Sequence, residues 1–274
     1  MKKYIPILFC LSHFLSFACF AGNEPHSIGA RSNALGNASI TLSDPFSVFN
    51  NQAALAYINE ISIGLYSERR FLLKELSYNA AGIIFPTKSG VFGFSANYYG
   101  FDLYNEKKIG LAYSRLFTEK IAAGIQLDYL GTSISEYGNA SAFTFEAGLM
   151  MKINDKISTG VHVFNPVRVN TGFADEKIPT TIRLGLSFMP GNKVLLAVET
   201  KKNIQDPAQL CLGLEYRVVD ALHLRAGIET NPSVYSFGIG INIKQLKIDA
   251  STRYHALLGA SPQISVSYLF ARKK

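Results

Sequence analysis

The chain has 274 residues, a formal net charge of +7, hydrophobic residues at almost half its positions and no tryptophan. Its basic residues are dispersed without a dense run, which argues against a nucleic-acid partner, and Cys10, Cys19 and Cys211 supply neither a disulfide framework nor a metal cluster. No segment after the N-terminus approaches a continuous apolar helix, so the hydrophobic residues must be arranged in some other periodicity.

Residues 1–21 come first and set the compartment. Met1, Lys2 and Lys3 give a positive start, Tyr4 to Phe20 is nearly all apolar, and the small Ala21 closes a cleavage site, the pattern of a secretory leader. The apolar run is shorter than the ~20 residues of a transmembrane anchor. Acylation at Cys19 is disfavoured by Ser16, Phe17 and Ala18 upstream. Losing the leader takes the charge to +5 and leaves Cys211 alone, so nothing covalent staples the fold.

Segment 22–59 follows, rich in Gly, Ala, Ser and Asn and too long for a linker. From Glu60 to Phe270 one unit then recurs about fourteen times, an alternating strand and a turn. The strands are expected at 60–67, 76–86, 91–100, 107–117, 120–132, 142–153, 157–165, 179–188, 193–201, 208–218, 221–229, 233–243, 245–254 and 262–270. Late in the chain the alternation is plain: Leu246, Ile248, Ala250, Thr252 and Tyr254 share one face, and Lys247, Asp249, Ser251 and Arg253 the other. A period of two with one apolar and one charged face, behind a leader, points to an all-β, transmembrane antiparallel barrel of about 14 strands in the bacterial outer membrane, its outer face against lipid. A soluble β-sandwich shares the strand spacing and is the rival. Residues 271–274 form a short basic tail.

Every second link is short: 87–90, 118–119, 154–156, 189–192, 219–220 and Lys244. Longer links are expected at 68–75, 101–106, 133–141, 166–178, 201–207 and 255–261. Short turns on such barrels face the periplasm, which puts Lys88, Asn154, Pro190 and Asp220 there, and Tyr104, Tyr137 and Asp175 outside. Both termini then lie in the periplasm, and segment 22–59 enters the lumen from that side. Without tryptophan, interfacial belts must use Phe85, Phe92, Phe117, Phe188, Tyr216 and Phe270 near the turns, and Tyr66, Tyr98, Tyr129, Phe143, Tyr235 and Tyr254 near the loops.

The lumen face has its own regularities. Gly64, Gly93, Gly110, Gly124, Gly148, Gly160, Gly185, Gly213, Gly227, Gly238 and Gly240 share its parity, and both barrel curvature and close approach of a plug account for such a ring. Asp128, Glu146, Arg183, Glu199, Glu215, Arg217, Arg225, Glu229, Asp249 and Arg253 bring both signs to the same face, which favours internal pairing over selectivity. Arg31 in segment 22–59 is a candidate to pair with a wall carboxylate such as Glu146, Glu199 or Glu215. No Ser or carboxylate is tied by a motif to His162 or His223, which fall on separate strands, so an enzyme reading fails and no catalytic residue, metal or cofactor is expected.

Gly29-Ala30-Arg31-Ser32-Asn33-Ala34-Leu35-Gly36-Asn37-Ala38-Ser39, then Leu42-Ser43-Asp44 and Asn50-Asn51-Gln52-Ala53-Ala54-Leu55-Ala56, resembles the N-terminal signature of PorV/PorQ-type outer-membrane proteins, which are similar in turn to FadL-type transporters. Where that signature has Asn-Pro-Ala-Gly, this chain has Asn51-Gln52-Ala53-Ala54. The resemblance implies a fourteen-stranded barrel whose N-terminal segment folds into the lumen as a hatch. It also implies one of two roles: a hatch-gated channel for a small hydrophobic or amphipathic ligand, or a non-transporting barrel that works with secretion-machinery proteins or in surface attachment, as in type IX secretion.

Overall fold

The computed structural model describes residues 25–170, 177–204 and 206–270. The leader 1–21, the tail 271–274 and Asp175 lie outside those residues.

Fourteen antiparallel strands close into one barrel. They are β1 (Ile61–Arg69), β2 (Ser77–Pro86), β3 (Val91–Phe101), β4 (Tyr104–Leu116), β5 (Ile121–Ile134), β6 (Gly138–Lys152), β7 (Ile157–Phe164), β8 (Thr181–Phe188), β9 (Val194–Asn203), β10 (Gln209–Val219), β11 (Leu222–Glu229), β12 (Val234–Ile243), β13 (Leu246–His255) and β14 (Gly259–Phe270). Each strand pairs with its neighbours in sequence, and the seam is the β1 and β14 ladder, from Ile61 opposite Phe270 to Glu68 opposite Gln263. Closure removes the edges that an open sheet would expose.

The outer face is apolar and uncovered. Leu127 is 64% exposed, and Ile121, Ile125, Leu212 and Leu214 are exposed with it, whereas their neighbours Gln126 and Asp128 are buried. In a sandwich those aliphatic side chains would meet a second sheet; here they ring a closed barrel, as contact with lipid requires. Phe85, Phe92, Phe117, Tyr216 and Phe270 at the turn end, and Tyr129, Phe143, Tyr235 and Tyr254 at the loop end, also point outward. Tyr66 does not. It shares the parity of Gly64, is buried in the lumen and receives a hydrogen bond from Asn33 Nδ2 at 2.9 Å. Among the described residues no helix is long and apolar enough to cross a membrane.

The loops differ from expectation at three places. The links expected at 101–106, 133–141 and 255–261 shrink to 102–103, 135–137 and 256–258, because the strands on either side continue their ladders to Phe101 opposite Tyr104, Ile134 opposite Gly138, and His255 opposite Gly259. Polar residues such as Asn105 and Ser133 read as loop, yet they sit equally well on strands that run beyond the apolar band. The link 165–180 remains long, and Asn165 pins its base: Asn165 N–H donates to the Phe145 carbonyl, and Asn165 Nδ2 to that of Ile178.

Candidate functional site

Residues 25–58 run through the barrel interior. They form two short helices, α1 (Ala30–Ala34) and α2 (Ser47–Asn50), then a 3-10 turn from Gln52 to Tyr57, with Leu35, Ala54 and Leu55 fully buried. The turn needs no proline at its start. Asn51 is extended (φ −161°), and its side-chain oxygen accepts the Ala53 N–H at 3.2 Å, an N-cap built from the residue at hand.

The direction of this segment is the reverse of the expected one. Pro25 lies at the loop end, where its carbonyl accepts from Lys201 Nζ at 3.3 Å and Arg70 Nη1 stands 3.2 Å from His26 Nε2. Tyr57 lies at the turn end, its hydroxyl donating to the Lys120 carbonyl at 2.8 Å. Between these two points the chain crosses the whole lumen before β1 starts at the turn end, and Pro25 and Phe270 sit at opposite mouths.

The two halves of the segment are held by different forces. Phe46, Val48, Phe49, Leu55 and Ile58, together with Ile28, form an apolar core with Tyr66, Tyr78, Ala80, Ile84, Val91 and Ala112 of β1 to β4. Ala53, Ala54 and Ala56 continue it onto Ala122 and Met150. The stretch 29–40 faces β7 to β14 instead, and there charge and hydrogen bonds are joined by two small apolar clusters, Leu35 and Leu42 with Leu195, and Ala38 with Ala197 and Cys211.

Four wall clusters meet the segment. Arg31 forks onto Glu215, Nε to Oε2 and Nη2 to Oε1 both at 2.8 Å, and Glu215 passes the charge on through Arg225 (2.6 Å) to Asp249 (2.7 Å). Arg183 pairs with Glu199 at 2.5 Å and donates to Ser39 Oγ and the Asn50 carbonyl, while Glu199 Oε2 accepts the Ser39 and Ile40 N–H groups at 2.8 and 3.0 Å. Glu229 accepts from Asn37 Nδ2 at 2.9 Å and from Arg253. Glu146 accepts from Gln52 Nε2 at 2.9 Å, stands 2.9 Å from His162 Nε2 and is paired with Lys108, which also approaches Asp128. With Arg31 on Glu215, its other two candidate partners, Glu146 and Glu199, serve Gln52 and the Ser39 and Ile40 amides. Arg217 stands apart, held at the turn end by the Asn192 carbonyl and Asp220.

Lys108, Asn37, Asn50, Asn51 and Gln52 are the partners that sequence reasoning missed. Lys108 carried a signal, since it shares parity with Gly110 on β4. His162 has Glu146 beside it, and His223 lies elsewhere, at the turn-end cleft. Among the described residues no group of three His, Cys, Asp or Glu is placed to hold a metal ion.

Most of the lumen-parity glycines lie under this segment. A Cβ on Gly124 would stand 2.5 Å from the Gln52 carbonyl carbon, and one on Gly213 would stand 2.6 Å from the Leu35 oxygen. Gly110 and Gly240 face wall side chains instead.

Two sets of cavities flank the 29–40 stretch. The loop-end cavity, about 270 Å³, is lined from β9, β10, β11 and β13 by Glu199, Cys211, Glu229 and Arg253, with Arg70 and Phe71 at its rim. Turn-end clefts of about 380 and 110 Å³ are lined from the same four strands by Leu195, Glu215, Arg225 and Asp249. Leu35 and Gly36, seated on Gly213 and Gly227, lie between.

No protein-family model matches the chain, and no curated protein matches it. Solved structures do. The CymD monoaromatic hydrocarbon channel is 13% identical with a TM-score of 0.67, covering 90% of this chain and 98% of its own. The Ralstonia pickettii toluene transporter TbuX is 11% identical with a TM-score of 0.66, at 90% and 99% coverage. A Pseudomonas aeruginosa FadL homologue is 13% identical with a TM-score of 0.64, at 92% and 100%. At these identities the likeness is one of fold, and the fold is that of FadL-type barrels.

Proposed function

We propose that this chain is an outer-membrane channel that passes a small hydrophobic or amphipathic solute along the β9 to β13 wall when the 29–40 arm moves aside. The observation that carries the reading is the division of labour within the lumen segment. Residues 46–58 are packed in two apolar clusters, while the arm between the outer cavity and the inner clefts is held to the wall by the Arg31–Glu215 ion pair and by hydrogen bonds from Asn37, Ser39 and Ile40 to Glu229 and Glu199, all of which can be exchanged for water. The similar barrels named for toluene and monoaromatic hydrocarbons favour passage of a small apolar body.

Ala38 packs against the buried thiol of Cys211, which gives a direct test. In Ala38→Cys an oxidised bond between the introduced thiol and Cys211, verified by mass spectrometry, ties the arm to β10. Cells carrying this variant should take up radiolabelled toluene, hexanol or benzoate more slowly when oxidised, with the rate restored by reductant. Equal rates for all three solutes in both states would overturn the reading.

The second reading is a non-transporting barrel that partners secretion machinery or serves surface attachment, in keeping with the PorV/PorQ-type resemblance. What favours it is the same apolar core, since Phe46, Val48 and Leu55 seal the β1 to β4 side of the lumen as a permanent filling would.

A further inference from the structure

We propose that the turn-end mouth of the barrel is a docking surface for a soluble protein, one that presents an extended, carboxylate-rich segment. The proposal goes beyond the passage reading and stands without it. Lys120, Lys152, Lys156, Lys193, Arg217 and Lys247 carry it. All six take lumen parity within two residues of the turn end of β5, β6, β7, β9, β10 and β13, in step with the buried Ala122, Met150, Leu195, Glu215 and Asp249. Three observations set this ring apart from ordinary surface charge.

The first is that the cations stand against one another. The Lys152 N–H donates to the Lys120 carbonyl at 2.8 Å and the Arg217 N–H to that of Lys193 at 2.7 Å, continuing the ladders of their strands. Two pairs of like charges are therefore directly opposite on neighbouring strands, an arrangement that destabilises a sheet.

The second is the lack of neutralisation. The carboxylates at this end are Glu60, Glu119, Asp155 and Asp220, and they are outnumbered, since Lys88, Arg115 and Lys244 add to the ring. Of the six, Arg217 alone has a salt bridge among the described residues, to Asp220, whose side chain is 99% exposed. A contact so solvated contributes little. Lys152 lies over the Tyr57 ring, 3.9 Å from its centroid. The amines of Lys120, Lys156, Lys193 and Lys247 have no partner among the described residues. Deeper in the lumen, Glu215, Asp249 and Asp44 are held by Arg31 and Arg225.

The third is position. Behind Lys120 and Lys152 the lumen is filled: Ala53, Ala54 and Ala56 pack on Ala122 and Met150, and the Tyr57 hydroxyl donates to the Lys120 carbonyl. A charged ring selects ions where it lines an open pore, so this side of it serves no solute. Lumen parity also turns the cations away from the lipid belt, where Phe117, Tyr216 and Phe270 are exposed. A single small anion meets two or three cations, whereas an extended acidic segment lying across the mouth reaches cations on several strands. Complementary charge of this kind steers encounter and fixes register.

Fluorescence anisotropy on the purified mature chain in nonionic detergent micelles tests the surface with a labelled peptide of alternating Asp and Ser and with its Asn and Ser counterpart. The acidic peptide should bind at least about tenfold tighter in low salt, and added salt should erase the difference. The triple variant Lys120→Gln, Lys156→Gln and Lys193→Gln should lose the preference. Lys88→Gln, Arg115→Gln and Lys244→Gln together remove the same charge outside the ring and should keep it. Equal loss in the two triple variants would reduce the effect to net charge and overturn the proposal. So would displacement of the peptide by inorganic phosphate or by phosphatidylglycerol vesicles at matched charge, which would assign the cations to a small anion or to lipid. Because no step uses solute uptake, this experiment and the Ala38→Cys uptake test can fail separately.

Discussion

Arg31 and Glu215 meet as a two-pronged fork, Nε to Oε2 and Nη2 to Oε1 at 2.8 Å each, across 184 residues of chain. No other contact joins a cation of the lumen segment so squarely to the wall among the described residues, and the carboxylate is shared with the buried Arg225. Bidentate pairing of this type fixes orientation as well as energy.

Removing one partner breaks the fork but strands neither charge, because Glu215 keeps Arg225 and Arg31 keeps Asp44. The loss therefore falls below the about 3–5 kcal/mol of a buried pair whose remaining charge has no partner. Arg31→Ala and Glu215→Gln should each raise conductance in planar bilayers, and the double variant should rise by less than the two single effects combined. Strict additivity would show that the pair does not hold the arm.

Glycine substitutions should divide by what they strike. Gly124 and Gly213 lie under backbone atoms of the segment, whereas the atom nearest a Cβ on Gly185 would be the Ile40 Cγ2 methyl at 2.2 Å, with the Val198 carbonyl oxygen next at 3.3 Å. Overpacking costs about 1–3 kcal/mol, and backbone cannot step aside as a methyl can. Gly213→Leu should therefore expose Arg31 to trypsin and Gly124→Leu should loosen the 3-10 turn, while Gly185→Ala should leave the digestion pattern of the wild type. Uniform resistance to trypsin would point to barrel curvature as the reason for the glycines.

Deletion of residues 27–58 should convert a poorly conducting barrel into an open pore. The apolar surfaces of Tyr78, Ile84 and Ala112 would then line water, so the deletion should also lower thermal stability. Single-channel recordings on both proteins decide it, and equal conductance would remove the segment from any gating role.

Orientation is open to labelling in intact cells. Tyr137, 81% exposed at the β5 to β6 tip, lies at the end with the 165–180 link, and Asn154 lies at the end of short turns. A membrane-impermeant thiol reagent should modify Tyr137→Cys and spare Asn154→Cys. The reverse pattern would invert the barrel.

The strands were readable because a membrane barrel writes its fold as a period of two: Leu127 against Gln126 and Asp128 is decided by parity alone. Parity also named the wall carboxylates and, for Lys108, would have named their missing cation. It gave no purchase on residues 25–58, whose contacts repeat with no period. That Gln52 would reach Glu146, or Asn37 reach Glu229, depends on how an irregular chain folds back on itself, and nothing local in the sequence encodes it. The direction of the segment failed for a related reason. Composition said that it filled the lumen, but which mouth Pro25 reaches is settled by contacts such as Lys201 Nζ to the Pro25 carbonyl, which no local pattern announces.

The run of the segment through the lumen bears on assembly. Thirteen of the fourteen strand pairings join sequence neighbours and can zip as local hairpins, whereas the β1 and β14 seam spans the whole barrel sequence. The segment fills the lumen from Pro25 at one mouth to Tyr57 at the other. Seating it on the curving sheet before the last seam closes spares it a passage through a finished cylinder and makes it a mandrel for that closure. Supplying residues 25–58 as a separate peptide should therefore rescue a truncated chain only when the two are refolded together, and not when the peptide is added to barrels already formed.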